Sequence, residues 1–413
     1  MDGLRIISLT PARLLHEFAP KVYYAKDLPH TLQDRMNAMD RYYRKTEMAR
    51  TVFEAVIFEN TAEDEPDAPR IQIINDIDDD ATPAWEFHYS NQMWHGEDVP
   101  PPDLANLRGC DCRGHCDPRS KTCSCLRRQH IYNKDIPGFL YDDRGRLKAH
   151  GYPIFECNDL CGCLEDCRNR VVQQGRQHIV NIRKTEHKGW GVFAGPRKIP
   201  RGSFIGIYAG ELLTDKEGDT RGLKYNKFGR TYLFDLDFWY LENNEDGSKK
   251  SGEWETQFVV DAYHAGNFTR FLNHSCDPNC VMNACYINEA NLEKPLLTFF
   301  TSRDVLPFEE LTFSYTGDPD SDDDDAVAPV RTQKPQYDIF WIIYQDDKKG
   351  ANSKKSAESK KAAESKKAAE SKKAAESKKA AESKKAAEAK EVRDAVYAAC
   401  RCGAPNCKGE MFR

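Results

Sequence analysis

Nine cysteines crowd residues 110–167 of this 413-residue chain, and no other feature limits so sharply what it can fold into. Five stand in "RGCDCRGHCDPRSKTCSC": Cys110, Cys112, Cys116, Cys123 and Cys125. Four follow in "CNDLCGCLEDC": Cys157, Cys161, Cys163 and Cys167. An odd number cannot pair completely into disulfides. The N-terminus lacks a basic run followed by a long apolar stretch, and no window approaches ~20 apolar residues. The expectation is therefore a reducing, intracellular setting without a membrane, where thiols serve as metal ligands. Zinc takes four thiolates in a tetrahedron. Two separate sites would use eight cysteines and leave one over. Three zinc ions need twelve Zn–S bonds, which nine thiols supply when six bind one ion and three bridge two. A triangular three-zinc cluster thus uses every cysteine; two separate sites with a spare thiol is the alternative.

A last group, "CRCGAPNC", places Cys400, Cys402 and Cys407 near the C-terminus, one ligand short of a closed site. By spacing, Cys276 in "RFLNHSCDPNC" is a candidate fourth ligand, with Cys280 and Cys285 as alternatives. A fourth zinc would then clip the tail onto the middle of the chain.

Residues 1–105 read as a supporting region: a helical pattern at Leu32, Met36, Met39 and Tyr43, then strand-like "RIQIINDI", then "VPPPD" as a boundary. The cysteine-rich segment spans 106–170. From 171 to 317 short β-like runs dominate, among them "GWGVFA", "FIGIYAGELL", "QFVVDA" and "LLTFFTSRDV". They predict a mostly β fold with short helices. Residues 318–397 form an insertion, and 398–413 the cysteine-bearing tail. The formal charge of -6 conceals asymmetry: "DIDDD" (76–80) and "SDDDD" (321–325) are acidic, whereas six hexapeptides, "SKKSAE" and then "SKKAAE", make 353–388 lysine-rich. Lys, Ala and Glu favour an exposed charged helix or semi-rigid spacer. The excess lysine leaves a regulatory role, or weak contact with DNA phosphates, as the other reading. An apolar "FWIIY" (340–344) precedes these lysines and either packs on the protein or shields a peptide groove.

"HKGWGVFA", "IGIYAGE", "TYLFDLD", "RFLNHSCDPN", "EELTFSY" and "CRCGAPNCKGEMF" occur in this order. Together they resemble the motifs of SET-domain protein lysine methyltransferases. The nine-cysteine segment resembles the pre-SET cluster of the suppressor-of-variegation branch, which methylates lysine 9 of histone H3. The resemblance implies a pseudoknotted β fold in which "RFLNHSC" meets "ELTFSY", flanked by pre-SET and post-SET zinc segments. It selects Cys276 as the fourth ligand of the tail site. It also implies S-adenosylmethionine as methyl donor, four zinc ions (three pre-SET, one post-SET), the histone H3 tail and nucleosome as partners, and a place in nuclear chromatin, supporting heterochromatin and gene silencing. The rival readings are a catalytically silent zinc-dependent chromatin scaffold and a methyltransferase for another protein lysine. No "GxGxxG" occurs, so the common dinucleotide-binding sheet is not the donor site.

Residue by residue, the resemblance makes Tyr315 the catalytic tyrosine and Tyr208 a second channel tyrosine. Phe234 and Phe412 wall the target lysine. Gly189, Trp190 and Gly191 lie along the methionine part of the donor, and Asn273 and His274 hold its adenosine, with Lys184, Tyr232 and Arg270 nearby. Phe313 stands where relatives carry Phe or Tyr, and a phenylalanine leaves room for di- and trimethylation. "FSY" replaces the more usual "FDY", putting Ser314 where a carboxylate is common.

Overall fold

A computed structural model describes residues 21–29, 42–225, 232–242, 255–315 and 397–412. The lysine-rich repeats, "FWIIY" and most of the Leu32–Tyr43 pattern lie outside them. As expected, the described chain is mostly β. Its helices are short: Glu47–Thr61, Ser124–Tyr132 and Asp215–Tyr225. The first buries Ala49, Phe53 and Ile57, one face at four-residue spacing. Its Phe53 ring meets Trp85 edge-on at 4.8 Å, and Glu54 Oε1 accepts from Ile73 N at 2.7 Å. Among the described residues, no helix is long and apolar enough to cross a membrane.

Three sheets surround the core. One five-stranded sheet runs in the order Tyr23–Tyr24, Met93–His95, Gly210–Thr214, Phe258–Asp261, Leu233–Asp235. A second runs Asn273–His274, Glu310–Phe313, Trp190–Ala194, Val180–Lys184, Ile73–Ile74. A four-stranded sheet joins Ile154–Phe155, Cys280–Tyr286, Leu296–Thr301 and Phe204–Ile207. Two two-stranded sheets pair His88–Tyr89 with Ala265–Gly266 and Tyr397–Ala399 with Glu410–Phe412. The supporting region is therefore woven into the β-rich region. Ile73 pairs with Ile182, and Trp94 with Glu211, each across more than a hundred residues.

Inward-facing Ile73, Phe87, Val180, Ile182, Val192, Leu212, Val260, Phe268, Leu297, Phe299 and Leu311 make one continuous core. Each such large apolar side chain contributes about 1.5–3 kcal/mol, and together they hold the second sheet's edge, Asn273–His274, against Glu310–Phe313. That pairing is parallel, Asn273 to Thr312 and His274 to Phe313. Asn279 locks it, accepting from Thr312 N at 2.9 Å and donating to Glu310 O at 2.8 Å. The two segments that the resemblance joins in a pseudoknot are thus adjacent.

Buried charge fixes the first sheet. Arg221 reaches Glu211 at 2.7 Å, Asp261 at 2.8 Å and Glu217 at 3.0 Å, and Tyr225 donates to Asp261 at 2.7 Å. Removing the arginine would leave two buried carboxylates without a counter-charge. At the sheet's edge, burial and then the neighbouring Asp237, Asp215 and Asp219 push the Asp235 carboxyl up to about 7. A carboxyl raised in the folded state binds more protons folded than unfolded. Its stability contribution is therefore lost as pH rises from the unfolded value near ~4 to about 7. Asp235→Asn is expected to raise Tm by about 4 °C at pH 8 and by less at pH 5 in thermal melts.

Candidate active site

All fifteen cysteines are free thiols. In the first cluster they form three overlapping groups of four: Cys110, Cys116, Cys157 and Cys163; Cys110, Cys112, Cys116 and Cys123; Cys110, Cys125, Cys157 and Cys161. Within each group the sulfurs lie within 4.8 Å of one another. Cys110–Cys116 is 3.5 Å, Cys116–Cys157 3.6 Å and Cys125–Cys161 3.4 Å. A zinc tetrahedron with Zn–S near 2.3 Å has sulfur–sulfur edges of about 3.8 Å, so these spacings fit the ion. Cys110 belongs to all three groups, Cys116 and Cys157 to two each. The groups overlap at Cys110, Cys116 and Cys157, and such sharing fits thiols that bridge ions in one cluster better than two separate sites. Cys167, outside these groups, accepts from Cys116 N at 3.4 Å and lies against the same cluster.

The tail site is also assembled. Cys276, Cys400, Cys402 and Cys407 bring their sulfurs within 4.8 Å of one another, whereas Cys280 and Cys285 are buried elsewhere in the strand Cys280–Tyr286. Lys408 N donates to Cys276 Sγ at 3.4 Å, and Asn406 Nδ2 to Cys276 O at 3.1 Å. Soft thiolates at this spacing suit a fourth zinc, held between the tail and the residue that follows "NHS".

From that site a short path leads inward. His274 Nε2 lies 3.4 Å from Cys276 Sγ, and His274 Nδ1 accepts from Tyr315 N at 3.1 Å. An accepting Nδ1 assigns the ring proton to Nε2, facing the thiol. Burial, with Lys188 and Lys408 beside it, lowers His274 to about 4 and keeps it neutral.

Four aromatic side chains from three segments converge here. Tyr208 is 5.8 Å from Phe234, Phe234 stacks on Phe313 at 6.4 Å, and Phe313 meets Tyr315 at 4.9 Å. Tyr315 Oη donates to Leu272 O at 2.7 Å, and Tyr208 Oη to Tyr232 O at 2.9 Å. Burial, followed by Tyr232 and Glu310, holds the Tyr315 phenol above its ordinary value. Burial likewise raises Tyr208, with Tyr315 next in effect. Both phenols stay protonated near neutrality. Because each proton is given to a carbonyl, each oxygen still offers lone pairs to an incoming N–H. Phe412 pairs through its backbone with Tyr397; its side chain lies outside the described residues.

The remaining expected residues gather around the strand Trp190–Ala194. Asn273 Nδ2 donates to Trp190 O at 3.2 Å and to Glu310 Oε1 at 2.9 Å. A Cβ on Gly191 would come within 2.8 Å of Glu310 Oε1 and 2.9 Å of Asn273 Nδ2, so only glycine leaves this pair room. Gly189 turns the chain at φ +71°. Lys184 lies over the Trp190 ring at 5.2 Å and is held by Asp80 at 2.7 Å and Asp78 at 3.3 Å. The acidic run thus orients this lysine. Arg270 donates to Ala262 O at 2.9 Å and sits between Phe87 and Tyr232, about equidistant at 4.0 and 4.1 Å, so it supports the wall through Tyr232. Sequence reading passed over Glu310, which also pairs with Lys188, and Phe299, which touches both Phe313 at 4.8 Å and Tyr208 at 6.2 Å. Glu310 was visible only as a letter within "EELTFSY".

A pseudoknot-like pairing beside an aromatic cluster, preceded by a nine-thiol segment and followed by a thiol-bearing tail, defines a SET-domain protein of the pre-SET class. A model of the SET domain matches residues 189–316 and one of the pre-SET motif residues 63–170. The H3 lysine-9 specific histone-lysine N-methyltransferase of Cryptococcus neoformans is 42% identical over 313 residues, covering 69% of this chain and 17% of that protein. The Schizosaccharomyces pombe protein of the same description is 38% identical over 277 residues, covering 66% and 51%. Among solved structures, the Neurospora SET domain protein DIM-5, described as a histone lysine methyltransferase, is 31% identical with a TM-score of 0.51, covering 61% of this chain and 96% of that one. The chain belongs to the family of SET-domain proteins that carry a pre-SET motif. It spans 17% and 51% of the length of the two curated fungal relatives.

Proposed function

We propose that the chain methylates lysine 9 of the histone H3 tail, up to the trimethyl state, within nuclear chromatin. The observation that carries this reading is the aromatic cluster, with its two phenol oxygens free to accept and their protons committed to Leu272 and Tyr232. S-adenosylmethionine would supply an electrophilic methyl group on a sulfonium, and the reaction forms one N–C bond and breaks one C–S bond. Phe234, Phe313 and Tyr208 exclude water from the target amine. A lysine ordinarily near ~10.4 is thereby pushed toward its neutral, nucleophilic form. Tyr315 Oη orients that amine by accepting its N–H, and the aromatic faces tolerate the methylammonium product. Asn273, the Gly189–Gly191 turn, Lys184 and the His274 segment form the donor side. Catalysis is then largely positioning.

Calorimetric titration with S-adenosylhomocysteine, alongside methyl incorporation into an H3-tail peptide, separates this reading from a silent scaffold. The enzyme reading requires both, and binding without incorporation would leave the scaffold. Product state gives a second check. Phe313 packs on Tyr315 and Phe234, so a hydroxyl added there would fill space needed by a methylated amine, directly or by holding a water. Phe313→Tyr is expected to shift products from trimethyl toward monomethyl by about tenfold in mass spectra. Trimethylation at an undiminished rate would contradict the assignment.

A further inference from the structure

Residues 306–309 close a tight turn on the rim of the second sheet. Glu309 N donates to Leu306 O at 3.2 Å, and Leu306 N to Glu309 Oε2 at 2.7 Å. Proline in second place and a positive φ in third place are the marks of a type II turn, where glycine is the usual third residue. Here it is Phe308, at φ 62°, the one non-glycine residue with positive φ among the described residues. The residue is 61% exposed. A bulky residue in the left-handed region is strained, and such strain persists where the surrounding structure or a function demands it. An exposed ring adds little to the core, so the fold itself gives no reason for phenylalanine.

Beside this ring lies a groove of about 490 Å³. It is lined by the buried Asn181 and the half-buried Arg183 of one strand, by Phe193 between buried Val192 and Ala194 of the next, and by Ile74 from the edge strand. Arg70 flanks it, its guanidinium 4.0 Å from the Phe58 ring, while Arg183 is held by Asp76 at 2.8 Å. No carboxylate is among the described lining residues. Aromatic anchors beside arginines are the composition of interface hot spots. A lining of Ile74, Ile179, Phe193, Pro196 and Phe308 with two arginines, one already paired, offers few phosphate contacts and so favours protein over nucleic acid.

We propose that this groove docks an acidic protein segment of the nucleosome, its apolar side chain seated against Phe308 and Phe193 and its carboxylate on Arg70. The inference rests on the nucleosomal substrate proposed above. The groove occupies the Trp190–Ala194, Val180–Lys184 and Ile73–Ile74 side of a sheet whose opposite edge is Asn273–His274. With strands about 4.8 Å apart, docking site and reaction site lie on the order of 10–20 Å from each other. A nucleosome held at the groove would raise the effective concentration of its own tail at the site.

The test compares wild type with Phe308→Gly and Arg70→Glu on H3-tail peptide and on intact nucleosomes. Phe308→Gly relaxes the turn, so Tm should hold or rise. Peptide kcat/KM should stay within about twofold for both variants, while nucleosomal kcat/KM should fall about tenfold, through KM. Equal nucleosomal rates in variant and wild type would overturn the proposal. So would a fall in Tm with a matching loss on peptide, which would make Phe308 structural. A loss of affinity for naked DNA equal to the loss for nucleosomes would also overturn it, because the occupant would then be nucleic acid. Failure of wild type to methylate the peptide would instead refute the underlying activity.

Discussion

Cys276→Ser should lower bound zinc from four ions to three per chain and reduce peptide methylation by about 100-fold or more, while leaving far-UV circular dichroism close to wild type. The tail has no other described anchor of comparable strength. Its thiols Cys400, Cys402 and Cys407 meet the rest of the chain at Cys276, and the backbone of Lys408 and the side chain of Asn406 bond to that same residue. The reaction site feels the loss through His274, which faces the Cys276 thiol on one side and accepts from Tyr315 N on the other. A metal lost there releases the tail and frees the ring that sets the Tyr315 backbone. The core of Phe299, Leu297 and Ile182 does not depend on that contact. Plasma emission spectrometry and a peptide assay read both effects. Four ions with full activity in the variant would sink the clip.

The second large effect belongs to Cys110. Its thiol is common to all three overlapping groups, so Cys110→Ser removes a vertex from each of them. Cys112→Ser removes one thiol that belongs to a single group. Small metal sites contribute folding free energy directly. This cluster also carries its own buried core, with Leu126 and Phe139 against the cysteines. Cys110→Ser is therefore expected to lose more than one zinc and to lower Tm by about 10 °C or more, or to fail to fold. Cys112→Ser should lose at most one ion, with a smaller shift. Equal losses in the two variants would mean that Cys110 does not bridge.

These contrasts mark where the chain was legible and where it was not. Cysteine spacing is local and discrete, so both groups of thiols could be read from letters alone, while a three-zinc cluster and two separate sites both fitted the first count. Spacing left Cys276, Cys280 and Cys285 open and only the family resemblance selected Cys276, because the choice depends on which segment places a thiol near the tail. The "NHSC" and "ELTFSY" segments were readable as site-forming, and their pairing follows from one parallel register, Asn273 to Thr312. The N-terminal region was the least legible. Strands of two or three residues, such as Ile73–Ile74, His88–Tyr89 and Met93–His95, carry too few positions for a period of two to register. What specifies them is burial against partners far along the chain. The helix Glu47–Thr61 has a stripe in Ala49, Phe53 and Ile57, but the pattern Leu32, Met36, Met39, Tyr43 just upstream is equally periodic and competes with it. Lys184 and Arg270 show the limit for charged residues: the sequence places them near the donor side, but only coordinates reveal that Asp78 and Asp80 hold one and that two rings hold the other.

The central claim is methyl transfer to one lysine of the H3 tail. Its most direct test is mass spectrometry of an H3-tail peptide incubated with the zinc-loaded full chain and S-adenosylmethionine, with fragmentation to locate the methyl groups. The expected result is mono-, di- and trimethyl product confined to lysine 9, absent when that lysine is replaced by arginine. No mass increase, or methyl groups on other lysines with lysine 9 untouched, would contradict the account.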